Sequence, residues 1–436
     1  MALGGGNFIT QNKVLPGTYI NFISVKSADS NLSDRGIATM PLELDWGIED
    51  SIFEVTQEDL EKNALKFFGY DFTHEHEKLK GLRDLFKNIK LLYAYRLTSG
   101  GIKASNKYAT AKYCGTRGND IKIVIKNNVD NPGYYDVMTY LGDVLLDTQT
   151  VNDKLNLISN DYVEFKTASL TLQEESGIAL TGGTNGIVNG AAHQKYLDKI
   201  ETYTFNAMGI TTTDDTTKSL YINFCKRLRD EIGSKFQLVL YNKAADYLGV
   251  VNVKNRVLKD SESSLVYFVT GIIGGCPANK SNLNKIYNGE FEVDTNYTQN
   301  QLAECLKLGE FVLHKVGSDI RVLDDINSKV TITEEQGEIF KDNQTIRVID
   351  QVANDIAVIF NTKYLGEIPN DNAGRISLWS DIVKHHEELQ KIRAIENFSD
   401  KDVTVVQGDS KKSIIVNDAV TVVNTMAKLY MTVKVS

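Results

Sequence analysis

Hydrophobic and polar positions mark strands near both ends of the chain, with helices and further strands in between. Thr18 to Val25 (TYINFISV) predicts a strand behind the turn-forming Pro16-Gly17. Thr56 followed by Asp59 marks the start of a helix carrying Leu60, Ala64, Phe67 and Phe68, with Gly69 placed to end it. A second helix puts Leu79, Leu82, Phe86 and Ile89 on one face, and LLYAYRL (91–97) is a buried strand. From about 100 to 185 helical periodicity fades, and short runs such as IKIVIKN and DYVEFKTASLTL predict a β-rich insert. Further on come a helix with Leu220, Phe224, Leu228 and Ile232, a strand at 236–241 and a hairpin over 311–323. LVYFVTGIIGG (265–275) fits strand or helix equally. Near the C-terminus, Ile349, Val352, Ala353, Ile356 and Phe360 share one helical face. Trp379, Ile382, Val383, His386 and Leu389 share the face of the next helix, with Asp381, Lys384, His385, Glu388 and Lys391 on its outer side. Residues 403–416 predict a hairpin.

The last strand alternates cleanly. Leu429, Met431, Val433 and Val435 point one way, and Tyr430, Thr432 and Lys434 the other. The sequence stops at Ser436, so no later segment is expected to pair with its outer edge. An uncovered edge with an apolar face is a liability. The strand either sits inside its own sheet or completes a sheet in a partner.

These patterns define a multidomain α+β and α/β protein. A terminal α/β core is built from both chain ends, with a β-rich insert and a middle α/β domain. The expected segments are an N-terminal arm over 1–28, an α/β region over 29–98 and the β-rich insert over 99–187. A middle domain over 188–335, a C-terminal domain over 336–427 and a terminal strand over 428–436 complete the chain. Composition agrees: 42% of residues are hydrophobic, enough for ordinary cores. Only 5 of 436 residues are proline, which excludes collagen-like and polyproline architectures.

A net charge of −9 argues against a nucleic-acid surface. Residues 29–61 hold ten acidic side chains against Arg35 alone, so this stretch carries the whole surplus beside a weakly basic N-terminal arm. The C-terminal strand is weakly basic too. The four cysteines are widely spaced, as for reduced thiols made in a cytoplasm. The N-terminus lacks the pattern of a signal peptide, and the longest apolar run, Leu265 to Cys276, is too short to span a bilayer.

Candidate chemistry is thin. Gly274 to Ser281 (GGCPANKS) approximates a phosphate loop, but Asn279 replaces its second glycine and Pro277 removes a backbone donor. His74-Glu75-His76-Glu77 and His385-His386 lack the convergent third ligand that a metal needs. There is no nucleophile elbow and no marked catalytic cysteine. No cofactor, metal or enzymatic activity is expected.

One resemblance is specific. Asn343-Gln344-Thr345-Ile346-Arg347-Val348-Ile349-Asp350, Phe360 to Gly366, Asn372 to Trp379, Ala394 to Phe398 and the ending Leu429 to Val433 are similar to the tail sheath protein of contractile bacteriophages. The nearest likeness is to the branch found in defective PBSX-type prophages and in phage-derived bacteriocins such as diffocins. Pro16 to Phe22, Asp34-Arg35-Gly36 and Trp46-Gly47 resemble the family's N-terminal pattern, and Gly115 to Asn119 and Gly182 to Gly186 the borders of its insert. Leu15 and Lys329-Val330 depart from it.

The resemblance implies a non-enzymatic polymer. Subunits stack as hexameric rings around an inner tail tube protein, between a baseplate and a terminator or collar, and contract to drive the tube through a cell envelope without hydrolysing nucleotide. Assembly takes place in the bacterial host's cytoplasm, and the subunit then belongs to the tail of a phage or bacteriocin particle, with no membrane insertion and no direct nucleic-acid contact. The terminal strands, Thr18, Tyr19, Ile20, Asn21, Phe22 and Ile23 at one end and Leu429 to Val435 at the other, link neighbouring subunits. The helix face bearing Asp381, Lys384, His385, Glu388 and Lys391 is the candidate tube contact. A sheath from another contractile injection machine, or a nucleotide-binding enzyme using loop 274–281, is the alternative.

Overall fold

A computed structural model of the chain describes residues 32–72 and 77–435. The expected strand at Thr18–Val25 and the His74/His76 pair lie outside these residues. The chain divides into two compact units. The larger includes Ser33–Asn354, Leu389–Phe398 and the segment from Val420 onward; the smaller includes Asp355–Glu388 and Ser399–Ala419.

The larger unit begins with strands β1 (Ile37–Leu42), β2 (Ile52–Thr56) and β3 (Leu91–Arg96). Between β2 and β3 run helices α1 (Gln57–Lys62), α2 (Ala64–Phe68) and α3 (Lys80–Phe86). The capping box forms as expected: the Thr56 side chain accepts from Asp59 N–H, and the Asp59 carboxylate accepts from Thr56 N–H at 3.1 Å. The single helix expected there is two, because Asn63 leaves helical geometry at φ −119° and caps both.

After β3 the chain builds the β-rich insert from β4 (Lys103–Ser105), β5 (Ala109–Cys114), β6 (Ile121–Asn127), β7 (Tyr135–Leu141), β8 (Val144–Val151), β9 (Val163–Phe165) and β10 (Glu175–Ala179). They form a four-stranded sheet in the order β10-β6-β7-β8 and a three-stranded sheet in the order β4-β5-β9. Period two is plain in β6, where Ile121, Ile123 and Ile125 enter a core shared with Ala109, Ala111, Val163 and Trp46. Both ends of the insert meet in a narrow neck, where Gly186 N–H donates to Thr98 O at 2.9 Å and Ile102 and Thr184 bond each other's backbones. A Cβ at Gly101 would lie 2.0 Å from Thr184 O, and one at Gly186 would lie 1.9 Å from Ser99 O, so only glycine lets these strands close.

The chain then continues through α4 (Gly190–Ile200), β11 (Ala207–Gly209), α5 (Asp215–Lys226), β12 (Gln237–Tyr241), β13 (Val250–Val253), α6 (Leu265–Gly275), α7 (Gln299–Lys307) and β14 (Glu310–Phe311). Its strands join β1–β3 in a seven-stranded sheet ordered β14-β13-β12-β11-β1-β3-β2. All neighbours are parallel except β2 and β3. The stretches 29–98 and 188–335, read from sequence as separate regions, therefore share one sheet, joined where Ala38 and Thr39 of β1 pair with Ala207 and Met208 of β11. Local pattern cannot reveal such a seam, because the partners lie on either side of the whole insert.

Both faces of the sheet are covered, as parallel strands require. Val239 and Tyr241 of β12 face a core that includes Leu82, Phe268 and Ile272, while Leu238 and Leu240 face one with Tyr196, Tyr221 and Phe224. The ambiguous 265–275 segment is helical because every side of it is packed, with Val266, Phe268, Val269, Ile272 and Ile273 all fully buried. The face expected to run from Leu220 to Ile232 breaks where α5 gives way to a π-helical turn, which leaves Ile232 exposed.

A hairpin of β15 (Leu313–Val316) and β16 (Asp319–Val322) follows, as expected. The C-terminal region holds α8 (Asn343–Ile359), α9 (Asn372–Lys391), β17 (Ile395–Glu396), β18 (Val403–Gln407), β19 (Ile414–Asp418) and β20 (Thr421–Val422). β18 and β19 form the expected antiparallel hairpin, and β17 pairs with β20. The apolar stripe read along α8 is only half-buried; the deeply buried side carries Arg347, Asp350 and Gln351 together with Ile346 and Val348. No helix among the described residues is long and apolar enough to cross a membrane.

Candidate assembly surfaces

The polar run at the start of α8 has a partner for each side chain. Asn343 Nδ2 donates to Asp325 Oδ1 at 3.0 Å and its Oδ1 accepts from Gln237 Nε2 at 2.7 Å. Arg347 Nη2 reaches Asp325 Oδ2 at 2.6 Å and Lys280 O at 2.8 Å. Asp350 receives two hydrogen bonds from Arg229, at 2.6 and 2.7 Å. Arg347 and Asp325 are both fully enclosed. Burial pushes the Asp325 carboxyl up, but Arg347 overrides it and holds the group below the ordinary carboxylate range.

Gln344 and Thr345, in the same run, hold the root of the C-terminal arm. Gln344 Nε2 donates to Val423 O and its Oε1 accepts from Thr425 N–H, both at 3.0 Å. The Gln344 side chain thus imitates one step of a strand ladder. Thr345 Oγ1 and the Asn424 side chain bond each other at 3.2–3.3 Å. Beyond this clamp Met426 is 99% exposed, and the chain has no ladder partner among the described residues. Leu429, Tyr430, Met431, Val433 and Val435 are 68–91% exposed, and Thr432 and Lys434 are exposed as well. The placement inside the chain's own sheet is therefore not the one found among the described residues.

The smaller unit has an open sheet edge. The β18–β19 hairpin forms a sheet of its own, and its two outer edges carry no ladder among the described residues. Val403 is buried and its carbonyl accepts from Trp379 Nε1 at 3.0 Å, while Val406, Ile415 and Val416 stay 38–47% exposed. Two strands alone are marginal in water. Here the hairpin is tied to α9 through Asp418, whose Oδ2 lies 2.8 Å from His386 Nε2. The His386 ring meets His385, Nδ1 to Nδ1, at 3.2 Å, and His385 Nε2 lies 3.0 Å from Asp355 Oδ2.

That chain corrects the expected outer face of α9. His385 is completely buried, because carboxylates approach both neighbouring rings and turn them inward together. Asp381 is also drawn in: it accepts from Tyr364 OH at 2.8 Å and pairs with Lys363 at 3.3 Å. Burial, together with the Asp381 charge, pushes the Tyr364 phenol up to about 12. Of the five residues, Lys384 and Lys391 are exposed and Glu388 is half-buried.

The loop at 274–281 is not shaped to cradle phosphate. It follows the C-terminal end of α6, where carbonyls rather than N–H groups are left over. Lys280 O accepts from Arg347, so the loop turns a carbonyl inward. Gly275 is needed for packing, since a Cβ there would sit 1.7 Å from Asn88 O. Among the described residues no three His, Cys, Asp or Glu side chains converge to hold a metal.

This architecture is shared with sheath tail proteins. The crystal structure of the sheath tail protein from Desulfitobacterium hafniense superposes with a TM-score of 0.78 at 34% identity, covering 90% of this chain and 93% of that one. The sheath tail protein of Listeria innocua gives a TM-score of 0.78 at 31% identity, over 91% and 93% of the two chains. The anti-feeding prophage helical sheath in its contracted state shares the fold at 12% identity and a TM-score of 0.56, over 97% of this chain and 99% of that one. Family models match in chain order: the tail sheath protein Gp18 domain III N-terminal region at 35–97, the phage tail sheath beta-sandwich domain at 99–185, the central domain at 186–328 and the C-terminal domain at 335–436. The phage-like element PBSX protein XkdK of Bacillus subtilis (strain 168) is 32% identical over the full length of both chains. The chain belongs to the phage tail sheath protein family.

Proposed function

We propose that this protein is the structural subunit of a contractile sheath, joined to its neighbours by strand exchange. The observation that carries the proposal is double: a C-terminal segment exposed along its apolar row, and a hairpin with open edges. Covering Leu429, Met431, Val433 and Val435 in a neighbour's sheet would contribute about 1.5–3 kcal/mol for each side chain fully buried. The main-chain ladder supplies direction and register. The segment Thr18 to Ile23 is the second donor in this reading.

Subunits so linked stack as hexameric rings around an inner tail tube protein, between baseplate and terminator or collar. The exposed Lys384 and Lys391 with Glu388 form the remaining tube-facing candidates. Contraction draws on contacts between bodies, while the strand links persist because a ladder does not depend on how the bodies pack. No nucleotide is consumed; the inward carbonyl of the 274–281 loop supports that reading.

Truncation after Met426 tests the proposal. The shortened chain should remain a folded monomer, by circular dichroism and sedimentation, and should form no tubes by electron microscopy. Tubes of normal appearance from it would overturn strand exchange.

A further inference from the structure

The smaller unit holds a cleft beside the open hairpin. Its volume is about 380 Å3, and it lies where β19 begins, with Ile414 on one side and the segment following α8 on the other. Phe360 and Tyr364 stack along it, their ring centroids 6.4 Å apart and planes 9° from parallel. Leu365 and Ile368 also line it, and they are 61% and 45% exposed. The rim is fixed in advance. Asn370 Nδ2 donates to Lys411 O at 3.0 Å and Ser413 O at 2.9 Å, and Arg375 Nη1 donates to Asn370 Oδ1 at 3.0 Å. A largely apolar cleft next to an unpaired strand edge is how an added strand is recognised: the ladder holds any backbone, and pockets for alternate side chains choose among sequences.

The hairpin register shows which side chains would reach the cleft. Ile414 pairs with Gln407, Val416 with Val405 and Asp418 with Val403, so these share a face, and Val403 on that face is buried. A strand added along β19 sets every second side chain on the same face, and the one level with Ile414 stands at the cleft. Of the two terminal segments, only one has an alternate row that is apolar throughout. Leu429, Met431, Val433 and Val435 meet that condition, whereas each row of Thr18–Val25 contains a polar residue, Asn21 in one and Thr18 and Ser24 in the other. We infer that the cleft is a specificity pocket that receives one aliphatic side chain of the Leu429–Met431–Val433–Val435 row from a second copy of this chain. The inference rests on the strand-exchange reading and adds to it the pocket that selects the strand.

Cross-linking between full-length copies tests it. An affinity-tagged Leu365→Cys chain is mixed during assembly with untagged chains carrying one cysteine in place of Leu429, Met431, Val433 or Val435, and the mixture is mildly oxidised. The native thiols Cys114, Cys225, Cys276 and Cys305 are all buried and stay out of the reaction. A reducible tagged–untagged dimer is expected from a member of this row and none from Tyr430→Cys or Thr432→Cys. Capture from Tyr430→Cys or Thr432→Cys alone, or from Phe22→Cys alone, overturns the inference. Truncation after Met426 separates the two readings. If it abolishes tubes while Leu365→Cys captures no member of the row, the pocket fails and strand exchange stands; if tubes persist, both fall.

Discussion

Asp342 and Arg347 illustrate opposite uses of buried charge at the scale of single residues. The Asp342 carboxyl accepts from the N–H groups of Gln344 and Thr345 at the start of α8, at 2.7 and 3.2 Å. Burial, and then the nearby Asp325 charge, push it up to about 6. The folded state therefore binds more protons than the unfolded chain between roughly pH 4 and 6. The stability this group contributes is full below that window and lost as pH rises through 6. Asp342→Asn keeps an acceptor for the two N–H groups and removes the ionisation. It should raise stability at pH 7.5 by on the order of 1–3 kcal/mol and leave it nearly unchanged at pH 4, measured by urea unfolding. Arg347 stands on the other side of this balance. Arg347→Ala leaves Asp325 charged and enclosed, and should cost about 3–5 kcal/mol in the same assay.

Among the elements, the start of α8 and the arm it holds decide how the terminal strand is presented. Gln344 grips the backbone on both sides of Asn424, so the strand leaves from a fixed root at Met426. Gln344→Ala should cost about 1 kcal/mol in global stability. Hydrogen exchange at Thr425 should become much faster, while the amides of β12 keep their protection. Much at this scale was legible in sequence. The capping box and the hairpins at 313–322 and 403–418 follow from local periods and turn residues. The buried side of α8 was not. Periodicity weighs apolar side chains, and this helix instead buries Arg347 and Asp350 against partners far along the chain, Asp325 and Arg229. The outer face of α9 failed for the same reason at His385, whose carboxylate partner belongs to α8.

For the whole molecule, the distribution of charge takes on a different meaning. Part of the acidic stretch at 29–61 is engaged within the fold. Asp45 accepts from Tyr70, Glu49 accepts from Cys114 N–H at 2.7 Å, Asp59 caps α1 and Glu58 pairs with Lys62. Any steering of incoming arms would fall to exposed carboxylates such as Glu43, Asp50 and Glu54. Sequence composition counted these carboxylates but could not tell which were already engaged. The seven-stranded sheet was hidden for a related reason: its β1–β11 seam joins strands on either side of the β-rich insert.

The neck of that insert has a consequence for how such proteins can diversify. Because entry and exit strands bond each other at Thr98–Gly186 and Ile102–Thr184, everything beyond the neck is an excursion that returns to its starting point. Residues can be gained or lost at the far turns, such as the exposed one around Val129, without shifting the register of β3 or β11. The glycines at 101 and 186 act as a hinge pin for a replaceable part: keep them, and evolution or an engineer can rewrite the insert's tip while the main sheet is left as it was.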